Sequence, residues 1–295
     1  MVNQSFREVM RVLSKFTNLQ KLEINACQYG PFFCRETMNG HGLLSVRIID
    51  SPGYGDYILV DDAIDWLAKQ HPANSLKEFE FKWDNNYSSL HKLHSLMSMH
   101  TESMIRLKLW VPNNYWMNQE EILARLCSTL AVCANLEDFG LVLQSSSFAH
   151  VKSLLSSLPK SVRRVALEHP QFDALPIMHR FWAKESLSGP EQERGRQFWK
   201  EVDSTFTRSA YPRLRYFEIS IKTGLEYDHS GFKRELVKRD QDGMFKQLVP
   251  NLYQRGVLWC CDDEDIAYPL LPFKDPLDWK RHERLFPSPW QFWSD

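Results

Sequence analysis

The chain is poor in nearly every feature that would announce a chemistry. It has no strong charge of either sign: 36 Lys and Arg against 37 Asp and Glu leave a net charge of −1. Nucleic-acid binding draws on clustered cations against phosphate, and membrane-surface contact on polybasic segments, so both are unexpected here. Only six cysteines occur (27, 34, 127, 133, 260 and 261), with neither CxxC spacing nor the density of a disulfide framework. They read as reduced, mostly buried thiols of a protein of the cytoplasm or nucleus. No run approaches the ~20 apolar residues that cross a bilayer, and the first ten residues, with Glu8 among them, lack the apolar core of a signal peptide.

Catalytic signatures are missing too. There is no GxSxG, no P-loop and no GxGxxG. His91 and His94 lie three apart on an expected helix, but no Cys or carboxylate completes a metal-ligand set at a recognisable spacing. The run Asp262–Asp265 lacks the alternating acids and glycine of a calcium loop, and Lys233-Arg234 and Lys238-Arg239 are balanced by Glu235 and Asp240. No metal or cofactor is expected.

What is present is a recurring frame: apolar, two variable residues, apolar, one variable, apolar. It reads Leu19-x-x-Leu22-x-Ile24, Leu43-x-x-Val46-x-Ile48, Leu76-x-x-Phe79-x-Phe81 and Met104-x-x-Leu107-x-Leu109. It continues through Leu136-x-x-Phe139-x-Leu141, Val162-x-x-Val165-x-Leu167 and Leu214-x-x-Phe217-x-Ile219, with residues 256–261 as a degenerate last strand. With 43% apolar residues such a frame matches by chance about 8% of the time, so the frame alone carries little. The order around it carries more. Short alternating runs are separated by a polar turn and then by an amphipathic helical pattern, at spacings of 24, 33, 28, 32 and 26 residues. Helical patterns fall on Phe6–Phe16, from Asp61-Asp62 to Leu67, from Ser88 or Ser89 to Met97, from Asn118 to Ala134, and from Ser146-Ser147 to Leu158.

Strand, helix, strand in alternation implies parallel strands. A doubly wound sheet, buried on both faces, would show nearly continuous apolar strands. Here the residues between the apolar positions are polar: Lys21 and Glu23, Glu78 and Glu80, Arg106 and Lys108, Arg164. The expected fold is therefore α/β, an irregular leucine-rich-repeat-like solenoid over residues 1–267, with parallel strands on the concave face and helices on the convex face.

The segment Phe16-Thr-Asn-Leu19-Gln-Lys-Leu22-Glu-Ile24-Asn-Ala-Cys27 resembles the cysteine-ending repeat of fungal F-box-type proteins. The phrases 75–81, 135–139 and 212–217 share that style, and the resemblance covers roughly residues 5–260. Later repeats depart from it, with Ser51, Asp84, Pro112, Gln144, Pro170 and Lys222 at the position of Cys27, and no F-box-like segment precedes the first repeat. The resemblance implies a protein-interaction module, the substrate-recognition part of an SCF-type ubiquitin ligase adaptor. A Skp-type adaptor would be a partner only if an F-box exists outside this chain. A stand-alone scaffold is one alternative, and an α/β enzyme with a dispersed site is another.

A partner would meet the residues that alternate with the core positions. The candidates are Arg47, Ile49, Glu80, Arg106, Lys108, Trp110, Val142, Arg164 and Tyr216. If neighbouring strands keep register, Arg106 falls between Glu78 and Asp138, with Arg164 beyond, and Lys108 beside Glu80, a ladder of opposite charges that can satisfy itself. Trp110 is the leading anchor on residue type. The 52-residue gap before the frame at 214 reads either as an insertion at about 171–210 or as a degenerate repeat, and the Pro- and Trp-rich residues 268–295 as a cap or a docking tail.

Overall fold

The computed structural model describes residues 19–26, 33–38, 45–50, 64–65, 67–68, 73–82, 87–111, 120–143, 148–169, 190–221, 244–261 and 267–269. The expected helix at 6–16, the start of the one at 61–67, the 171–189 segment and the tail beyond 269 lie outside them, as do Cys27 and the charged runs at 233–240 and 262–265.

The apolar frame is what the interior is made of. Its three positions in the frames at 76, 104, 136, 162 and 214 are all buried, Phe79, Phe139 and Phe217 among the largest side chains, and Leu22 and Val46 are buried in the first two frames. Each buried side chain of this size contributes about 1.5–3 kcal/mol by leaving water. The second half of each frame is a strand: β1 (Leu19–Ala26), β3 (Ser45–Asp50), β4 (Glu78–Lys82), β5 (Arg106–Val111), β6 (Asp138–Leu143), β7 (Arg164–His169), β8 (Tyr216–Ile221) and β9 (Leu258–Cys261). Between them run α1 (Tyr87–Met99), α2 (Glu120–Val132), α3 (Phe148–Ser156) and α4 (Pro190–Thr205), followed by the short α5 (Met244–Leu248) and α6 (Pro250–Gln254).

The helices bury the stripe that a 3.6-residue period predicts. In α1 it is Leu93, Leu96 and Met97; in α2 it is Leu123, Leu126 and Leu130; in α3 it is Val151, Leu154 and Leu155. Glu120 and Glu121 open α2, where the helix dipole favours acids. Gly256, with φ 64, closes α6 in the left-handed region that a side chain would resist, and Asn74, with φ 59, makes the equivalent turn before β4.

The chain divides into two compact units: residues 1–139 with 157–159, and residues 140–156 with 160–295. In the first, β1 pairs parallel with β3, β3 with β4, and β4 with β5. In the second, β7 pairs parallel with β8, and β8 with β9. Both units are α/β with open parallel strands, and neither set is closed into a barrel.

Two strands were not read from the sequence. β2 (Phe33–Met38) lies antiparallel on the outer side of β1, and β10 (Ala267–Pro269) lies antiparallel on the outer side of β9. Neither carries the apolar frame, because an edge strand need not bury both of its flanks.

The frames are joined by one recurring backbone arrangement. The carbonyl of Lys77 accepts from the N–H groups of Ile105 (2.7 Å) and Arg106 (3.0 Å). That of Ile105 accepts from Glu137 (2.9 Å) and Asp138 (3.1 Å), and that of Arg163 from Arg215 (2.8 Å) and Tyr216 (3.1 Å). In every case the second residue of one frame serves the second and third of the next. The third instance spans the long gap before 214. β7 and β8 are direct neighbours, so no strand stands between them. The crossover contains α4, whose Phe198, Trp199 and Val202 are buried.

Candidate functional site

The register places the sequence-predicted residues on adjacent strands. On β3, Arg47 stands opposite Glu23 and Glu80, and Ile49 opposite Asn25 and Lys82. On β5, Lys108 stands opposite Glu80 and Trp110 opposite Lys82. The side chains of Arg47, Ile49 and Trp110 lie outside the described atoms.

The expected charge ladder forms in the first unit. The Arg106 Nη1 donates to Glu78 Oε1 at 3.1 Å and its Nε to Asp138 Oδ2 at 3.0 Å, all three side chains being partly exposed. Two residues further along, Lys108 Nζ lies 3.9 Å from Glu80 Oε1. That second row is not open to water. Glu80 is 1% exposed and Lys108 7%.

The second unit repeats the theme more deeply. Arg164 pairs with the Glu218 carboxylate, and both are buried. Val142 on β6 is buried as well. The expectation of a strand face bared to water along its length is therefore corrected. Glu78, Arg106 and Asp138 stay partly exposed, whereas Glu80, Lys108, Val142 and Arg164 are buried. On these strands the buried charges are set against opposite ones, Lys108 against Glu80 and Arg164 against Glu218. Alternation alone could not separate a solvated charge from a paired buried one.

Tyr216, directly opposite Arg164 in register, is half-buried, and its ring meets that of Trp259 edge-on at a centroid distance of 5.5 Å. Trp259 was not among the sequence candidates. The signal was available, since aligning Leu258 with Phe217 places Trp259 beside Glu218 on the alternate side.

A polar network in the second unit was also missed. Asp203, buried near the end of α4, accepts from the backbone N–H of Asn251 (3.1 Å) and of Leu252 (2.9 Å) and from the Asn251 side-chain amide (2.9 Å). Arg255 donates to the carbonyls of Phe206 (2.6 Å), Tyr211 (2.8 Å) and Leu214 (3.3 Å). Burial, and then the nearby Arg208, push the Arg255 guanidinium below its ordinary range. The Tyr211 hydroxyl donates to the Leu155 carbonyl at 3.2 Å, and burial pushes that phenol up.

His91 is exposed, and His94 is pushed down by burial first and then by Arg125 and His91. Among the described residues no group of three His, Cys, Asp or Glu side chains could hold a metal ion. Cys127 and Cys133 are free thiols. The Cys133 thiol donates to the Thr129 carbonyl at 3.2 Å, and burial pushes it up to about 11. Among the described residues no helix is long and apolar enough to cross a membrane.

Comparison of the chain with family models, with curated proteins and with solved structures finds no match.

Proposed function

We propose that this chain is a protein-interaction module that receives its partner across several strands at once. The observation that supports this most directly is the partly exposed row Glu78–Arg106–Asp138, which spans β4, β5 and β6, with Glu78 and Arg106 directly opposite in register. A row held by three strands is pre-organised, so a partner meeting it loses little further side-chain entropy. Its two carboxylates and one guanidinium leave an excess negative charge, suited to a basic or hydrogen-bond-donating protein segment. Trp110, two residues beyond Lys108 on the same strand, is the proposed anchor by residue type. The leucine-rich-repeat-like solenoid remains the architecture on which this reading rests. Its narrower form, the recognition part of an SCF-type ubiquitin ligase adaptor, rests on the resemblance of the first repeat alone.

The test is affinity capture of the tagged full chain followed by mass spectrometry, with Arg106→Glu as the matched variant. A stoichiometric partner retained by the parent and lost by a variant of unchanged circular dichroism is the expected result. A Skp-type adaptor and a cullin among the partners would favour the narrower form. Nothing retained above an untagged control would sink the proposal.

A further inference from the structure

Two adjacent turns of the second unit carry charge of one sign. Residues 160–163 lead into β7 and residues 206–215 into β8, and they contain Lys160, Arg163, Arg208, Arg213 and Arg215 but no Asp or Glu. All five cations are exposed. The turns are neighbours: the Arg163 carbonyl accepts from the N–H groups of Arg215 and Tyr216, and Arg164 stands directly opposite Tyr216. Arg163 and Arg215 therefore share the same end of their strands, at the spacing of paired strands, about 4.8 Å. The equivalent turns of the first unit are mixed or acidic, with Lys77 and Glu78, Glu102 and Arg106, and Glu137 and Asp138.

A sixth cation lies against the second turn. Arg255 donates to the carbonyls of Phe206, Tyr211 and Leu214, all of them on that turn. These partners satisfy its hydrogen bonds but are neutral, so they leave its charge uncancelled. Burial, and then Arg208, hold the Arg255 guanidinium below its ordinary range, which puts the Arg208 charge close by. The carboxylates nearest to this turn in the chain are engaged elsewhere, Asp203 with the backbone of Asn251 and Leu252, and Glu218 with Arg164. Three carbonyl bonds to one side chain also fix the shape of the turn before any ligand arrives.

We infer that these two turns form a docking surface for an acidic segment of a partner protein. Charge complementarity picks the occupant. Arginine forks match carboxylates, and four of the five exposed cations are arginine. A nucleic acid fits less well, because its affinity grows with the number of phosphates neutralised, and this surface is confined to two turns of a chain with net charge −1. The surface shares no residue with the Glu78–Arg106–Asp138 row, so the two readings stand or fall separately.

Fluorescence anisotropy of the full chain with a labelled oligoglutamate peptide tests it, beside a glycine–serine peptide and a single-stranded oligonucleotide of the same length. Saturable binding of oligoglutamate, weakened by added salt, is expected, with none for the neutral peptide. Arg213→Glu with Arg215→Glu should weaken that binding at least about tenfold, since each reversal replaces an attraction by a repulsion. Lys77→Glu with Arg125→Glu, the same charge change at exposed sites of the first unit, should leave it within about twofold. If the double arginine variant loses its circular dichroism, Arg213→Gln alone carries the test, with a loss of about threefold. An absent oligoglutamate signal overturns the inference. So does an equal loss in both double variants, or an oligonucleotide that binds more tightly than the peptide.

Discussion

Replacing Asp203 by alanine tests how the second unit holds its last helices. Val249, the residue that should cap α6, has no polar side chain, and no side-chain cap bond is formed there. The carboxylate of Asp203, forty-six residues upstream, takes its place by accepting three hydrogen bonds of 2.9–3.1 Å from Asn251 and Leu252. Loss of a cap costs about 0.5–2 kcal/mol. Asn251 is exposed and can turn to water, but Leu252 is fully buried and its N–H would be left without an acceptor, which costs about 1–3 kcal/mol more. Urea unfolding followed by tryptophan fluorescence should therefore show Asp203→Ala destabilised by roughly 2–4 kcal/mol, whereas Asp203→Asn, which keeps one acceptor, loses about half as much. Because the carboxylate is buried, both losses should be nearly the same in low and high salt. A loss below about 0.5 kcal/mol for the alanine variant, the range of ordinary surface substitutions, would refute the capping argument.

Three further outcomes are expected. Arg106→Met should lose about 1 kcal/mol, since two partly exposed ion pairs go with it, and the difference should shrink as salt is raised in the same unfolding assay. Tyr211→Phe removes a buried hydroxyl that donates to Leu155 and should cost about 1 kcal/mol in the midpoint of urea unfolding. Cys133, held up to about 11 against an ordinary 9, keeps its proton in the folded chain over a range where the unfolded chain has lost it, so stability falls as pH rises from about 9 to 11. Cys133→Ala should flatten that alkaline loss in thermal melts, and the native thiol should resist a disulfide reagent at pH 8 that labels it at once in urea.

The strands and helices were legible because the apolar frame and the helical stripe are direct consequences of burial. Phe79 and Phe81, or Leu123, Leu126 and Leu130, face inward in the structure as their spacing requires. The pairing of Arg106 with Glu78 and Asp138 followed from aligning neighbouring frames, because parallel register brings equal positions together. Depth was not legible. Glu80 and Glu78 look alike in a sequence, yet one is 1% exposed and the other partly open, since burial depends on what lies over the strand. The edge strands β2 and β10 escaped because their pairing is antiparallel and outside the repeat. Asp203 and Arg255 escaped because their partners are mostly backbone atoms more than forty residues away, which no local pattern reports.

The shared carbonyls of Lys77, Ile105 and Arg163 have a consequence for how such a chain can change. The joint they form is the same whether 28, 32 or 52 residues separate the two frames. Strand adjacency is thus decoupled from crossover length, and doubling a crossover costs only about 0.6 kcal/mol in closure entropy. New segments can be spliced into the crossovers while neighbouring strands stay put, so this architecture can lengthen or shorten its crossovers without rebuilding its frame.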